Sequence, residues 1–427
     1  MMLKKYFKNP TVKNAGWLIF GKMSQLLISL IVSMLTARYL GPSNYGLINY
    51  ATSFTAFFMA FCTLGINSVL VKEFVDNPDE EGQIIGSTLI LRGISSLLSA
   101  GVIISIVCFI DAGETETIIV TALCSIGVVF NVFETFNYWF QAKLKSKVTA
   151  VVTLVAYAVT SLYKVVLLIL GKNVRWFAMA SSVDYVCIGL LLIICYYRHG
   201  GRRLAFSGRI ARRLLSSSVH FILSGLMVSV YRYSDKLMLK QMISDTEVGY
   251  YSTAAMLCTV WCFVLSAVID SVYPSIMSAH KEDRELFEKR NRQLYAVVFY
   301  VSVFVSVLFC IFGGFAVRIL YGEAYLPAVA PLRVITWYTA FSYLGVARNA
   351  WLVCENKAKY LKYIYVLAAL SNVGLNLVFI PVFGATGAAA ASLITQLLTS
   401  IVLPFFIKGM RRNAVLMLEA ILLKKIR

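Results

Sequence analysis

Nine ionisable residues sit inside long apolar runs, where water cannot solvate them, and these are the first candidates for chemistry. Five are cations, Lys22, Arg92, Lys164, Arg232 and Arg348; four are acids, Glu134, Asp184, Asp235 and Asp270. A Lys or Arg at a helix centre costs roughly 2.5–3.5 kcal/mol on insertion scales, so five facing lipid would cost on the order of 15 kcal/mol. They must be shielded, paired, or drawn to the membrane surface along their own stems. Two chemistries fit. One is internal ion pairing, for which Arg232 and Asp235 have i, i+3 helical spacing. The other is a set of charge-assisted donors for an anionic ligand in a water-poor site.

Helical spacing indicates which of these face inward. Lys22, Gln25, Ser29, Ser33 and Thr36 form one polar stripe, and Tyr157, Thr160, Ser161 and Lys164 form another. Gly225, Ser229, Arg232 and Lys236 make a third, and Tyr365, Ala369, Asn372 and Asn376 a fourth. Such stripes point at protein or water. The candidate substrate-binding cations are therefore Lys22, Arg92, Lys164 and Arg232. The polar or coupling candidates are Gln25, Tyr157, Ser161, Asp235, Asp270, Asn372 and Asn376. Arg348, close to a cytoplasmic helix end, is expected to snorkel.

No enzyme signature accompanies them. The three histidines, His199, His220 and His280, are far apart in sequence, and no glycine-rich phosphate loop or nucleophile elbow stands in a plausible context. The nine cysteines show neither zinc spacing nor a disulfide framework; Cys258 and Cys262 share a helix face as small packing residues. Neither a cofactor nor a metal is expected. The external loops are expected to be short, which argues against a membrane glycosyltransferase.

The elements that must position these residues follow from composition. The 427 residues are 59% hydrophobic and 14% charged, with a mean hydropathy of +0.75, which marks a polytopic membrane protein. A helix needs about 20 apolar residues to cross roughly 30 Å of hydrocarbon. Twelve such runs are predicted at 15–37, 45–71, 84–110, 117–141, 148–170, 175–197, 213–235, 248–273, 294–317, 327–353, 360–381 and 386–408. Their unbroken hydrophobicity excludes the alternation of a membrane barrel.

The net charge of +19 would suggest nucleic acid in a soluble protein. Its distribution argues otherwise: with both termini inside, 28 Lys and Arg lie in cytoplasmic segments and 7 in external ones. The positive-inside rule fixes that orientation, and the basic partners become anionic lipid head groups. The first run carries Lys22 and no convincing cleavage site, so it is read as a retained helix.

The sharpest composition break, Arg198 to Arg213, divides the chain. The expected organisation is all-α: a six-helix lobe at 1–197, a basic cytoplasmic linker at 198–212, a second six-helix lobe at 213–409 and a basic tail at 410–427. At an offset of 203 residues, Gly46 falls on Gly249 and Ala51 on Ala254, so the lobes are expected to be parallel repeats around a central cleft. The tail is expected either to lie on the cytoplasmic leaflet or to hang free.

Several stretches carry a resemblance. Ala37 to Ala51 (ARYLGPSNYGLINYA) has a tight turn at Gly41-Pro42, and Leu64 to Glu73 reads LGINSVLVKE. Tyr138 to Lys143 closes the fourth run with Tyr-Trp-Phe, Tyr231 to Tyr251 reads YRYSDKLMLKQMISDTEVGYY, and Ile380-Pro381 precedes a small-residue face at Gly384 to Ala390. These resemble the polysaccharide flippases of the MATE-like superfamily, the Wzx-type exporters, and they touch both halves. The resemblance implies alternating-access flipping of an undecaprenyl-pyrophosphate-linked oligosaccharide from the inner to the outer leaflet of a bacterial plasma membrane. Rivals within that fold are a lipid II flippase and a multidrug exporter. An exporter of organic cations should favour carboxylates in its cavity.

Overall fold

The computed structural model describes the backbone of residues 10–424, without the side chains of 10–24, 26 and 27. Every regular element among the described residues is helical. The chain forms two compact units, residues 1–40 with 47–233 and residues 41–46 with 234–427.

The first unit holds α1 (Pro10–Phe57), α2 (Asn67–Asp76), α3 (Glu81–Ile110), α4 (Thr115–Phe130), α5 (Thr135–Ala142), α6 (Ser146–Ile169), α7 (Ala180–Arg198) and most of α8 (Gly208–Met242). Large apolar side chains such as Leu98, Phe109, Leu162 and Ile169 stand exposed on these helices, as a lipid-facing surface requires and a water-facing one forbids. Inside, Ile66, Phe74, Ile85, Phe136, Trp139 and Tyr196 form a core. Trp139 and Tyr196 meet edge to face at 4.9 Å. The Tyr-Trp-Phe run that closes the fourth predicted span thus has Trp139 and Phe140 in the core, and Trp139 donates its indole N–H to Glu81 at 2.9 Å.

The basic segment after α7 belongs to this unit. Arg202 pairs with Asp79 at 2.9 Å, Arg209 with Glu80 at 2.6 Å, and Arg213 with Glu80 at 2.8 Å and Glu73 at 3.1 Å. Ala205 N–H also donates to the Gly82 carbonyl at 3.2 Å. Opposite charge at the α2–α3 junction thus docks the segment expected to be a linker, and the unit boundary falls inside α8, at Tyr233.

The second unit continues with α9 (Asp245–Val260), α10 (Phe263–Glu282), α11 (Arg284–Tyr321), α12 (Tyr338–Cys354), α13 (Leu361–Leu397) and α14 (Arg411–Ile421). Its core gathers Phe287, Tyr295, Leu344, Trp351 and Met417. The expectation of a surface-lying or free tail is corrected here: α14 buries Asn413, Ala414, Leu416, Met417 and Ala420. Asn413 donates to the Tyr295 hydroxyl at 2.7 Å, and Glu419 pairs with Arg292 at 2.8 Å. An apolar stripe at helical spacing favours packing over a wet surface.

Two glycines break long helices where only a left-handed residue fits. Gly41, at φ +73°, makes the tight turn inside α1, with Pro42 beyond it. Gly384, at φ +54°, divides α13, and the freed Ala385 N–H is capped by the Glu247 carboxylate at 2.6 Å. Such breaks explain the span count. Among the described residues, eight helical stretches are long and apolar enough to cross a membrane, or nine if the bent pair Ile28–Phe57 and Met59–Asp76 is one span. The eleventh and twelfth predicted runs lie on either side of the break at Gly384 within the apolar stretch Ala358–Phe406. The tenth is divided into shorter pieces ending in α12.

Candidate transport site

A cavity of about 330 Å³ lies within the first unit. Phe130, Glu134 and Asn137 reach it from the end of α4, through the 3-10 turn Asn131–Glu134, and from α5. Asp184, Tyr185, Ile188 and Leu192 present one face of α7, Thr149 and Thr153 come from α6, and Gln25 from α1. Recurrence at three, four and eight residues sets these side chains on common helix faces. The apolar positions supply the wall, and the polar ones converge on the space.

Among the described residues, the charges lining this space are acidic, and neither Arg92 nor Lys164 is one of them. Arg92 is 1% exposed. Its guanidinium donates to Asn67 Oδ1 and Thr135 Oγ1, each at 3.1 Å, to Asn131 Oδ1 at 2.7 Å and to the Asn131 carbonyl at 3.1 Å. Asn131 Nδ2 then donates to Glu134 at 3.1 Å. Neutral acceptors thus take both terminal nitrogens of Arg92, expected from the sequence to bind substrate, while its Nε finds no partner among the described residues, and its charge acts on Glu134 across Asn131. Lys164 stands to Asp184 much as Arg92 does to Glu134, attracted to that carboxylate, which also accepts from Thr160 at 3.2 Å.

A second polar station lies in the other unit. Asp235 is 3% exposed. One carboxylate oxygen accepts from Asn376 at 2.7 Å and Asn372 at 3.1 Å; the other accepts from Ser392 at 2.5 Å and from the Tyr251 hydroxyl. Ser234 donates to Asn372 Oδ1 at 2.7 Å and so orients that amide. Asn376 Oδ1 finds no partner among the described residues, which leaves an acceptor beside the carboxylate. Neutral donors alone thus satisfy Asp235, and pairing with Arg232 is not needed.

The remaining described candidates fall outside these two stations. Arg232 is exposed on α8, and Asp270 is exposed on α10. Tyr157 is half-buried and bonded to Ser29, and Ser161 is half-buried on α6. Lys22 lies among side chains outside the described residues. Arg348, expected to snorkel, is instead 4% exposed and donates to the Thr399 carbonyl at 3.3 Å. That carbonyl sits in the π-helical turn Leu398–Val402, where the widened ladder leaves acceptors for a side chain.

Sequence spacing missed Glu134, Asn137 and Asp184 as lining residues, and Tyr251 and Ser392 as partners of Asp235. Glu134 and Asp184 were visible as intramembrane acids, and the Asp184, Ile188, Leu192 spacing marks their face. Nothing local marks Ser392, which is 157 residues from Asp235.

Residues 11–280 match the family model described as polysaccharide biosynthesis protein. The chain belongs to this family. Among its relatives, the capsular polysaccharide biosynthesis protein CapF of Staphylococcus aureus is 19% identical over 402 residues, covering 93% of this chain and 99% of CapF. The proposed O-antigen transporter of Shigella flexneri is 19% identical over 406 residues, covering 92% and 96%. In fold, the chain is similar to the lipid II flippase MurJ at a TM-score of 0.71 and 13% identity, covering 94% of this chain and 91% of MurJ. It is also similar to a multidrug resistance MATE family transporter of the MOP superfamily, at a TM-score of 0.70 and 16% identity, covering 92% and 95%. The polysaccharide family member described here is thus a multi-pass membrane protein with the MATE-like fold, as the turn at Gly41-Pro42 and the small-residue face after Gly384 implied.

Proposed function

We propose that this protein is a carrier, not an enzyme, and that it flips an undecaprenyl-pyrophosphate-linked oligosaccharide from the inner to the outer leaflet of a bacterial plasma membrane by alternating access. The observation that carries this reading is a polar cavity enclosed by helices whose outer faces are apolar, in a chain of the polysaccharide biosynthesis family. A hydrophilic cargo crosses lipid only where protein groups replace its hydration, and hydrogen-bonding side chains around a cavity do that. In this reading Arg232 and Lys22 are the cations that meet the pyrophosphate. Asp235, with Asn372 and Asn376, is the coupling station, a buried carboxylate at the α8–α13 contact. Both termini and the segment from Arg198 to Arg213 face the cytoplasm, following the distribution of basic residues.

Removing the protein from its source cell should cause lipid-linked oligosaccharide to accumulate on the inner leaflet and surface polysaccharide to disappear. Unchanged surface polysaccharide would overturn the proposal. A second reading, export of organic cations, is favoured by one observation, the carboxylates of Glu134 and Asp184 on the cavity wall. It forecasts increased sensitivity to cationic drugs in the same strain, with surface polysaccharide intact.

A further inference from the structure

Among the described residues, the charges lining the cavity of the first unit are opposite to those a pyrophosphate path needs, and the lining fits another part of the cargo. Glu134 and Asp184 line it, and no Lys or Arg does so among the described residues. Gln25 and Asn137 add amides that both donate and accept, and Thr153 adds a hydroxyl. Sugar hydroxyls have the same dual capacity, so alternating donors and acceptors match vicinal hydroxyls while a wall of donors alone would not. Phe130, Ile188 and Leu192 supply apolar surface for the C–H faces of a sugar ring.

Size points the same way. The volume of about 330 Å³ is at the low end of the roughly 300–1,000 Å³ of small-molecule pockets, and it accommodates a mono- or disaccharide. A bare cation draws its oxygen ligands to about 2.0–2.6 Å and would leave most of this space unfilled. Arg92 reaches Glu134 through Asn131, and Lys164 is attracted to Asp184, yet neither cation is among the lining residues.

Resting on the reading of this chain as an oligosaccharide carrier, we propose that this cavity is a sugar subsite that accepts neutral or amine-bearing residues and rejects uronic acids. A protonated amine gains charge-assisted hydrogen bonds to Glu134 and Asp184. A sugar carboxylate meets like charge there and is refused.

The test uses the full-length protein in lipid nanodiscs and three soluble probes: chitobiose, with free amines, neutral N,N′-diacetylchitobiose, and digalacturonate. Binding is read by saturation-transfer difference NMR. Chitobiose should bind about tenfold tighter than the neutral disaccharide, the smaller effect expected of one charge-assisted hydrogen bond, and digalacturonate should not bind. Glu134→Gln and Asp184→Asn keep side-chain shape and should remove the preference for chitobiose while admitting digalacturonate. Equal binding of digalacturonate and the neutral disaccharide by the unsubstituted protein would overturn the proposal, as would no binding of any probe or an unchanged ranking in both folded variants. If a variant fails size-exclusion chromatography, the ranking in the unsubstituted protein decides alone. Translocation of a fluorescent short-chain prenyl-pyrophosphate chitobiose in proteoliposomes separates the two claims. The expected ranking without translocation sinks the carrier reading and leaves the subsite. Translocation without the ranking sinks the subsite and leaves the carrier.

Discussion

Replacing Asn376 by Leu isolates one donor of the Asp235 station. Asn376 is fully buried and its amide donates to the carboxylate at 2.7 Å. Leu keeps the branching of the amide at a larger volume, and that crowding and the loss of the 3.2 Å bond to Asn372 Oδ1 are shared by both backgrounds compared below. A bond to a charged group contributes about 1.5–3 kcal/mol, against about 0.5–1.5 kcal/mol for a neutral one. Asn372, Ser392 and Tyr251 remain as donors, which places Asn376→Leu near the lower end of the charged range. At about 1.4 kcal/mol per factor of ten, that lowers the folded-to-unfolded ratio roughly tenfold. With Asp235→Asn already present, the lost bond is neutral and Asn376→Leu should cost roughly half as much. The four proteins of this cycle are compared by reversible unfolding in mixed micelles. Equal losses in the two backgrounds would refute the claim that a charged carboxylate organises Asn376.

Further expectations concern the scaffold. Gly41→Ala meets no atom within 4 Å and should cost only the strain of a backbone region that glycine alone favours, about 1–3 kcal/mol. Gly384→Ala adds a collision with Glu247 Oε2 at 2.5 Å, so it should melt at the lower temperature of the two, and the reverse order would discredit the Glu247 cap. Arg92→Lys removes a fork that serves Asn67, Thr135 and Asn131 at once; membrane abundance should fall, because one ammonium cannot reproduce that planar geometry, and full abundance would return Arg92 to the list of cargo-binding cations. Reporter fusions after Arg213 and after Gly113 should give opposite locations, with Arg213 cytoplasmic, and an external Arg213 would invert the topology. Arg232→Gln should reduce translocation in proteoliposomes far more than protein level, whereas loss of both together would make it a folding residue.

Hydropathy is a local property, and what depends on it was legible in the residues alone: an all-helical membrane chain, a turn at Gly41-Pro42 and a break at Gly384. The resemblance carried by those turns also led to the family. Partnership is not local. Asp235 and Arg232 have the spacing of a pair, yet the Asp235 carboxylate is claimed by Ser392 and Asn376, more than a hundred residues away. The tail has the composition of a surface helix, and only the presence of Tyr295, Arg292 and Glu288 makes packing its better state. A cation at a helix centre is costly to expose to lipid, but periodicity cannot tell a wet cavity from a ring of neutral acceptors. Tertiary structure decided that question: it enclosed Arg92 and Arg348, brought Lys164 near Asp184, and left acids as the charges among the described lining residues of the cavity, because neutral oxygens from distant segments meet donors that lipid would leave unsatisfied.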